Sequence, residues 1–287
     1  MICLNYPMNP HETTITNATS ANLQDLCTAM ADAFSDYAIP VNLTLPAFRF
    51  MMRQRGLSPD ASRIALINGE IAAIWLVSVR RRQSYLIASG TVPAYRGLGL
   101  GTQLAQAALQ HLRGMKIESF QTEVLIENEK AAGLYRKIGM QRQREFACYN
   151  IKSTNPGGDT PAIGQTPWAQ IADEAQTLLD WAPSWQNSAA SIAATGDEIQ
   201  YFCSYDNGAL IGYVAVNPSN GTVHQIGVHP NARRQGIGTA LIDHALAVSN
   251  GPLRLINLDA GDAGFAAFIR SFSYEQTAGQ FELLMRL

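Results

Sequence analysis

Two short stretches carry residue types that can hold a phosphate. Pro93-Ala-Tyr-Arg-Gly-Leu-Gly-Leu-Gly-Thr102 and Pro230-Asn-Ala-Arg-Arg-Gln-Gly-Ile-Gly-Thr239 share Pro, Arg, two Gly and Thr at a constant offset of 137 residues. Glycine is costly inside regular structure, so a Gly-rich run that feeds a helical pattern points to a backbone approached closely by a ligand. Successive N–H groups at a helix N-terminus are unpaired and carry its partial positive charge, which suits a phosphate or pyrophosphate. Arg96 and Arg233 would add charged donors. A P-loop is excluded, because neither stretch has Lys-Ser/Thr after its last glycine. A dinucleotide fingerprint needs a third glycine where Leu104 and Leu241 stand, although Glu123 lies at the spacing of that motif's acid. The other reading is a tight strand-to-helix turn without a ligand, and recurrence of the same residues argues against it.

The elements around the two loops also repeat. Asn68-Gly69 and Asn207-Gly208 each separate two apolar runs, the strongest short signal for an antiparallel hairpin. A third strand follows in each copy, Ser84–Val92 and Thr222–Val228. A dinucleotide loop would instead open a parallel βαβ unit. After the loops, Leu104, Ala108 and Leu112, and in the second copy Leu241, Ala245 and Val248, fall on one helical face. Gly114 and Asn250-Gly251 end these helices. Next come a strand (Ser119–Ile126, Leu253–Leu258), a short helix (Glu129–Lys137, Asp262–Ser271) and a closing alternating run near Phe146–Ile151 and Phe281–Leu287. Ser153-Thr-Asn-Pro-Gly-Gly-Asp-Thr-Pro161 is a linker by composition. The expected organisation is one domain over 11–152, a linker over 153–162 and a second domain over 163–287.

A net charge of −2 over 287 residues offers no field for nucleic acid or an anionic membrane. Arg80-Arg81-Arg82 is either a solvated hairpin tip or a contact to a ligand phosphate or an acidic substrate. Cys3, Cys27, Cys148 and Cys203 have no metal or disulfide spacing and read as buried thiols of a reducing compartment. No apolar run is long enough for a membrane helix, and no signal-peptide pattern opens the chain, so the expected location is cytoplasmic. His224 and His229 straddle a strand end and are expected to face opposite sides, and His244 beside Asp243 to lie on a helix surface.

The loop Val92-Pro-Ala-Tyr-Arg-Gly-Leu-Gly-Leu-Gly101 resembles the acetyl-CoA loop of the GNAT superfamily of N-acetyltransferases, [Gln/Arg]-x-x-Gly-x-[Gly/Ala]. Asn128-Glu-Lys-Ala-Ala-Gly-Leu-Tyr-Arg-Lys-Ile-Gly-Met140 resembles the family's second signature, with Met140 in place of its final Phe. The implied fold class is α/β (α+β): two tandem GNAT-like domains, each a mixed, mostly antiparallel sheet flanked by helices and splayed beside the CoA loop. The implied function is acetyl-CoA-dependent transfer of an acetyl group to a primary amine, on a small molecule or a peptide, by direct attack. The rival is a non-catalytic acyl-CoA-binding or sensing protein.

The resemblance implies that Val92, Arg96, Gly97, Leu98, Gly99, Leu100, Gly101 and Thr102 hold the cofactor, with an N–H near Val92 placed for the oxyanion. Tyr135 would protonate the departing thiolate, and Asn128 would orient the cofactor or cap the following helix. Glu123, a carboxylate on a strand, is a candidate to bind or deprotonate the amine; an edge position in solvent is the alternative. Asp36 and Tyr37, between the first two predicted helices, would line the acceptor site by position. In the second copy Arg233, Gly236, Gly238 and Thr239 are intact, but Ile269 stands at the position of Tyr135 and Asp262 at that of Asn128. Isoleucine cannot donate a proton, so the second copy is expected to be degenerate or to bind CoA only.

Overall fold

The computed structural model describes residues 13–36, 43–154 and 161–287. They form two compact units: the described residues within 1–122, 133–140 and 284–287 make the first, and those within 123–132 and 141–283 the second. Among the described residues no helix is long and apolar enough to cross a membrane.

The first unit opens with β1 (Thr13–Asn17), α1 (Leu23–Ala33) and α2 (Leu45–Arg55). Asn22 and Asp25 form a reciprocal capping box on α1, and Thr44 caps α2, which stops at Gly56 with φ of 77°. β2 (Arg63–Ile67) and β3 (Glu70–Arg80) make the expected hairpin, with Asn68 and Gly69 both at positive φ, 55° and 84°. That pair of left-handed residues matches the twist of the flanking strands. Arg81 and Arg82 are the two-residue turn from β3 to β4 (Gln83–Thr91), and Arg82 pairs with Glu118 at 2.9 Å. α3 (Leu100–Gly114) buries Leu104, Ala108 and Leu112 as the periodicity predicts. β5 (Ser119–Leu125) pairs parallel to β4 only at Gln83–Tyr85, and the rest of β4 runs free of it. α4 follows at Glu129–Lys137.

In the second unit the order from one side is β6-β11-β10-β9-β8-β7. These are β6 (Gln141–Ser153), β7 (Gly164–Gln165), β8 (Gln200–Asp206), β9 (Ala209–Asn217), β10 (Thr222–Val228) and β11 (Leu253–Asp259). The helices are α5 (Trp168–Thr177), α6 (Ala189–Ala193), α7 (Ile237–Val248) and α8 (Ala263–Ile269); β12 (Ser273–Arg286) closes the chain. The β8–β9 turn repeats the left-handed pair at Asn207 and Gly208. β10 and β11 pair in parallel only at Thr222–Val223, so both copies splay at the same place.

The closing strands do not stay with their own copies. β6, expected to complete the first copy, pairs antiparallel with β11, from Phe146 opposite Asp259 to Ile151 opposite Leu253. The last four residues of the chain lie in the first unit, where the Leu287 N–H donates to Glu118 O at 3.0 Å and buried Met285 approaches Gly139. The two closing runs have the same alternating pattern, so hydrophobic periodicity specifies their pairing face but not the copy they join. Met285→Ala is expected to destabilise the first unit by about 2–3 kcal/mol. Hydrogen exchange at β3 and β4 amides checks this: unchanged protection there would show that the chain end adds nothing to that unit.

Candidate active site

Beyond β4 the chain makes a 3-10 turn at Pro93–Tyr95 and then the glycine loop. Gly97 and Gly99 are left-handed, φ 86° and 73°. A Cβ at Gly97 would touch nothing within 4 Å, and one at Gly99 only the Gln103 side chain. Backbone conformation, not packing, therefore favours glycine at these positions. α3 begins on Gly99 without a side-chain cap, whereas α1, α2, α6 and α8 have one. The N–H groups of Thr102 and Gln103 close back on Gly99 O, leaving the helix to present the donors ahead of them. Leu98 at the apex is exposed, Leu100 is buried and anchors the turn, and Gly101 brings α3 close to Leu134. The cradle fits a pyrophosphate.

Two expected roles meet different geometry. The Val92 N–H donates to Ala72 O at 3.0 Å, so it is committed to the sheet rather than presented as an oxyanion donor. Arg96 turns its guanidinium to Asp36, with contacts of 2.5 and 2.8 Å, and also donates to Ala33 O and Thr91 O. This latch ties the end of α1 to the end of β4, and the Asp36 hydrogen bond holds the Arg96 guanidinium above its ordinary pKa. Both Asp36 oxygens face Arg96, so the carboxylate is engaged before any acceptor arrives. Tyr37 lies outside the described residues.

Tyr135 is buried on α4, 6% exposed, with its hydroxyl 2.9 Å from Ser89 Oγ. Its ring meets Trp75 edge-on at 6.1 Å, and Trp75 stacks on Phe120. Ser89 belongs to the part of β4 that has left β5, so the hydroxyl pair stands at the splay. Asn128 Oδ1 accepts from the Ala131 N–H at 3.1 Å, the helix-cap role. Glu123 is half-buried on β5 rather than at a solvated edge. Burial pushes the Cys148 thiol up, and the nearby Glu123 charge adds to that.

The second unit repeats the loop. Arg234 and Gly236 take the left-handed places of Gly97 and Gly99, φ 63° and 81°, and Gly238 packs where a Cβ would lie 3.0 Å from the Phe268 ring. Arg233 repeats the latch, donating to Asp180 at 2.6 Å and to Val228 O at 3.0 Å. Asp262 caps α8 through the Phe265 N–H as Asn128 caps α4. A cleft of about 460 Å³ opens over Gly236, Gly238 and Thr239. The hydroxyl pair is absent: Ile269 replaces Tyr135, and Ile226 stands 137 residues after Ser89.

Sequence reasoning missed a buried polar cluster beside that cleft. His224 Nδ1 lies 3.2 Å from Asn187 Oδ1, Gln225 donates to Asn187 O at 2.6 Å, and Tyr213 donates to Gln225 at 2.8 Å. Cys148 and Gln280 both contact Asn257 Oδ1, the latter at 2.9 Å. His244, expected at the surface, is half-buried, its ring 4.3 Å from that of Phe202 with the two planes tilted by 55°. The available signal was polar residues (Tyr213, His224, Gln225) where the first copy has Leu76, Ile87 and Ala88. Cys27, Cys148 and Cys203 are buried free thiols, and Cys3 lies outside the described residues.

The model of the acetyltransferase (GNAT) family matches residues 27–140 and 166–266. N-alpha-acetyltransferase 30 of Schizosaccharomyces pombe is 25% identical over 142 residues, 46% of this chain and 87% of that protein. Mycothiol acetyltransferase of Paenarthrobacter aurescens is 29% identical over 137 residues, 45% of this chain; the match spans only 42% of that protein. A tandem GNAT protein from the clavulanic acid biosynthesis pathway superposes with a TM-score of 0.69 at 14% identity, over 96% of this chain and 98% of that one. That likeness establishes the shared tandem fold.

The loop geometry separates two neighbouring glycines. Gly99→Ala is expected to cost about 1 kcal/mol or more because φ is positive. Gly101→Ala, at an ordinary helical φ with 3.4 Å to Leu134, is expected to be neutral or stabilising by up to about 1 kcal/mol. Urea unfolding of the two variants checks this, and equal effects would remove the conformational argument.

Proposed function

The chain belongs to the acetyltransferase (GNAT) family, and from that membership we propose that it moves an acetyl group from acetyl-CoA to a primary amine in the first copy, residues 11–152. The observation that carries the reading is the buried Tyr135 hydroxyl paired with Ser89 Oγ at 2.9 Å, on the strand that leads into the uncapped glycine loop. Acetyl-CoA would supply the activated acyl group. The backbone of Gly97 to Thr102, Leu98 at its exposed apex included, would hold its pyrophosphate, with buried Leu100 anchoring the turn, and Asn128 would keep α4 in place.

A phenol's ordinary pKa of about 10 lies well above neutral pH, so Tyr135 would enter the reaction with a proton at Oη. A leaving thiolate is therefore protonated by it only as charge develops, and Ser89 orients that proton. Glu123, half-buried on β5, would bind the ammonium of a small-molecule or peptide acceptor or take its proton through water. Arg96 and Asp36 act as the latch that sets the loop against α1, with Arg96 lending its charge to the phosphate side. The second copy, 163–287 after the 153–162 linker, keeps a CoA loop without this acid.

Tyr135→Phe is expected to lower the transfer rate about tenfold or more, with acetyl-CoA affinity by calorimetry nearly unchanged. Ser89→Ala should give a smaller loss in the same direction. Undiminished transfer by the Phe variant would remove Tyr135 from the mechanism. Acetyl-CoA binding with no transfer to any amine would favour an acyl-CoA sensor.

A further inference from the structure

We propose that Trp75 is a positioning residue for acetyl transfer: its indole fixes the place and angle of the Tyr135 ring, and so the direction of the hydroxyl. The proposal rests on the reading that Tyr135 is the acid. Trp75 on β3 stands directly opposite Ser89 on β4. Opposed residues of an antiparallel pair share one face of the sheet, with Cβ atoms roughly 5 Å apart. Tyr135 meets both members of this pair. Its hydroxyl lies 2.9 Å from Ser89 Oγ, and its ring lies 6.1 Å from the indole, centroid to centroid, with the planes at 77°. The Ser89 contact fixes one atom of the phenol, whereas an edge-on ring contact fixes its plane.

Burial shows how much depends on this contact. Trp75, Ser89, Phe120 and Tyr135 all belong to the first unit. Tyr135 is the one residue of α4 that is fully buried, so its ring is the main anchor of the helix face that carries the acid. Trp75 is wholly buried, the largest side chain so enclosed among the described residues, and Phe120 stacks on the indole at 6.4 Å and 28°. Trp75 Nε1 is buried with no hydrogen-bond acceptor among the described residues. A buried N–H without a partner is a cost that phenylalanine would not carry. What the indole adds is a ring system large enough to lie against Phe120 and still meet Tyr135 edge-on.

The second copy serves as an internal control. Ile226 lies two residues beyond the bulge at His224, as Ser89 lies two beyond that at Ile87, and Val214 stands opposite Ile226 as Trp75 stands opposite Ser89. With Ile269 at the position of Tyr135, the three groups are lost together: Trp, Ser and Tyr become Val, Ile and Ile. Val214 and Ile269 are buried in one apolar cluster, and Ile226 packs against it. An indole that only filled space has no chemical tie to a hydroxyl on another element. Its loss together with that hydroxyl matches a group that orients the phenol. Trp75 makes and breaks no bond. The proton leaves the Tyr135 oxygen for the departing sulfur, solvent returns one to the phenolate, and the indole sets the distance and angle of that transfer.

The test uses the full chain, with thiol release from acetyl-CoA as readout and trialanine as the amine probe. Trp75→Leu should lower kcat about tenfold and Trp75→Phe about threefold, with KM for acetyl-CoA unchanged. In a Tyr135→Phe background neither change should lower kcat further, whereas a residue that only supported the fold would lower it by the same factor in both backgrounds. Should Trp75→Leu fail to fold, Phe120→Leu keeps the indole and removes its support; a loss of about threefold, again confined to chains that keep Tyr135, is expected. A readout that needs no acceptor is the flip rate of the Tyr135 ring, from carbon relaxation of ring-labelled tyrosine assigned with Tyr135→Phe; it should rise in Trp75→Phe. No loss, equal losses in both backgrounds, or an unchanged flip rate would overturn the proposal. Undiminished release by Tyr135→Phe alone would instead overturn the reading of Tyr135 as the acid.

Discussion

A parallel strand pair that stops after two or three residues is the constraint on which the rest depends. β4 and β5 part after Tyr85 and Gln121, and β10 and β11 after Val223 and Leu255. Backbone groups past these points cannot be paired by the neighbouring strand, so polar side chains, a helix start or a ligand must satisfy them. The bulges at Ile87 and His224, 137 residues apart, twist the strands at the point of separation. The glycine loop, the uncapped helix and the buried hydroxyls all follow immediately after the same break.

The two copies fill that break with opposite chemistry. In the first, Tyr135 and Ser89 supply hydroxyls near α4 while Leu76 and Ile87 keep the strand side apolar. In the second, Ile226 and Ile269 make the α8 side apolar while Tyr213, His224, Gln225 and Asn257 make the strand side polar. A polar pair buried without partners costs more than the same volume of hydrocarbon. Tyr213, Gln225, Asn187 and His224 accordingly form one chain of hydrogen bonds, and Tyr135 and Ser89 pair with each other.

The repeat, both left-handed hairpin turns, the glycine loops and the strand-helix order were legible in the sequence because each depends on local residue types. α4 and β10 match the expected ranges, since a strong apolar period and clear end signals fix them. The exchange of closing strands was not legible, because β6 and the chain end carry interchangeable patterns. Arg96 read as a phosphate ligand because its charge was visible, whereas the latch to Asp36 depends on where α1 ends in space. The Asn187–His224 contact spans 37 residues and two elements, and nothing local distinguishes that asparagine.

The recurrence of the latch argues that it is part of the loop's architecture. Arg96 and Arg233 both donate from Nε to the last or near-last carbonyl of the preceding strand, Thr91 and Val228, and from the fork to an aspartate beyond an early helix. A partly exposed ion pair contributes at most about 1 kcal/mol to stability. Its value is geometric: a planar fork with fixed donor directions sets where the loop begins. A left-handed glycine three residues later, Gly99 or Gly236, then determines where the helix amides point, so the charge and the glycines work as one device rather than as separate phosphate contacts.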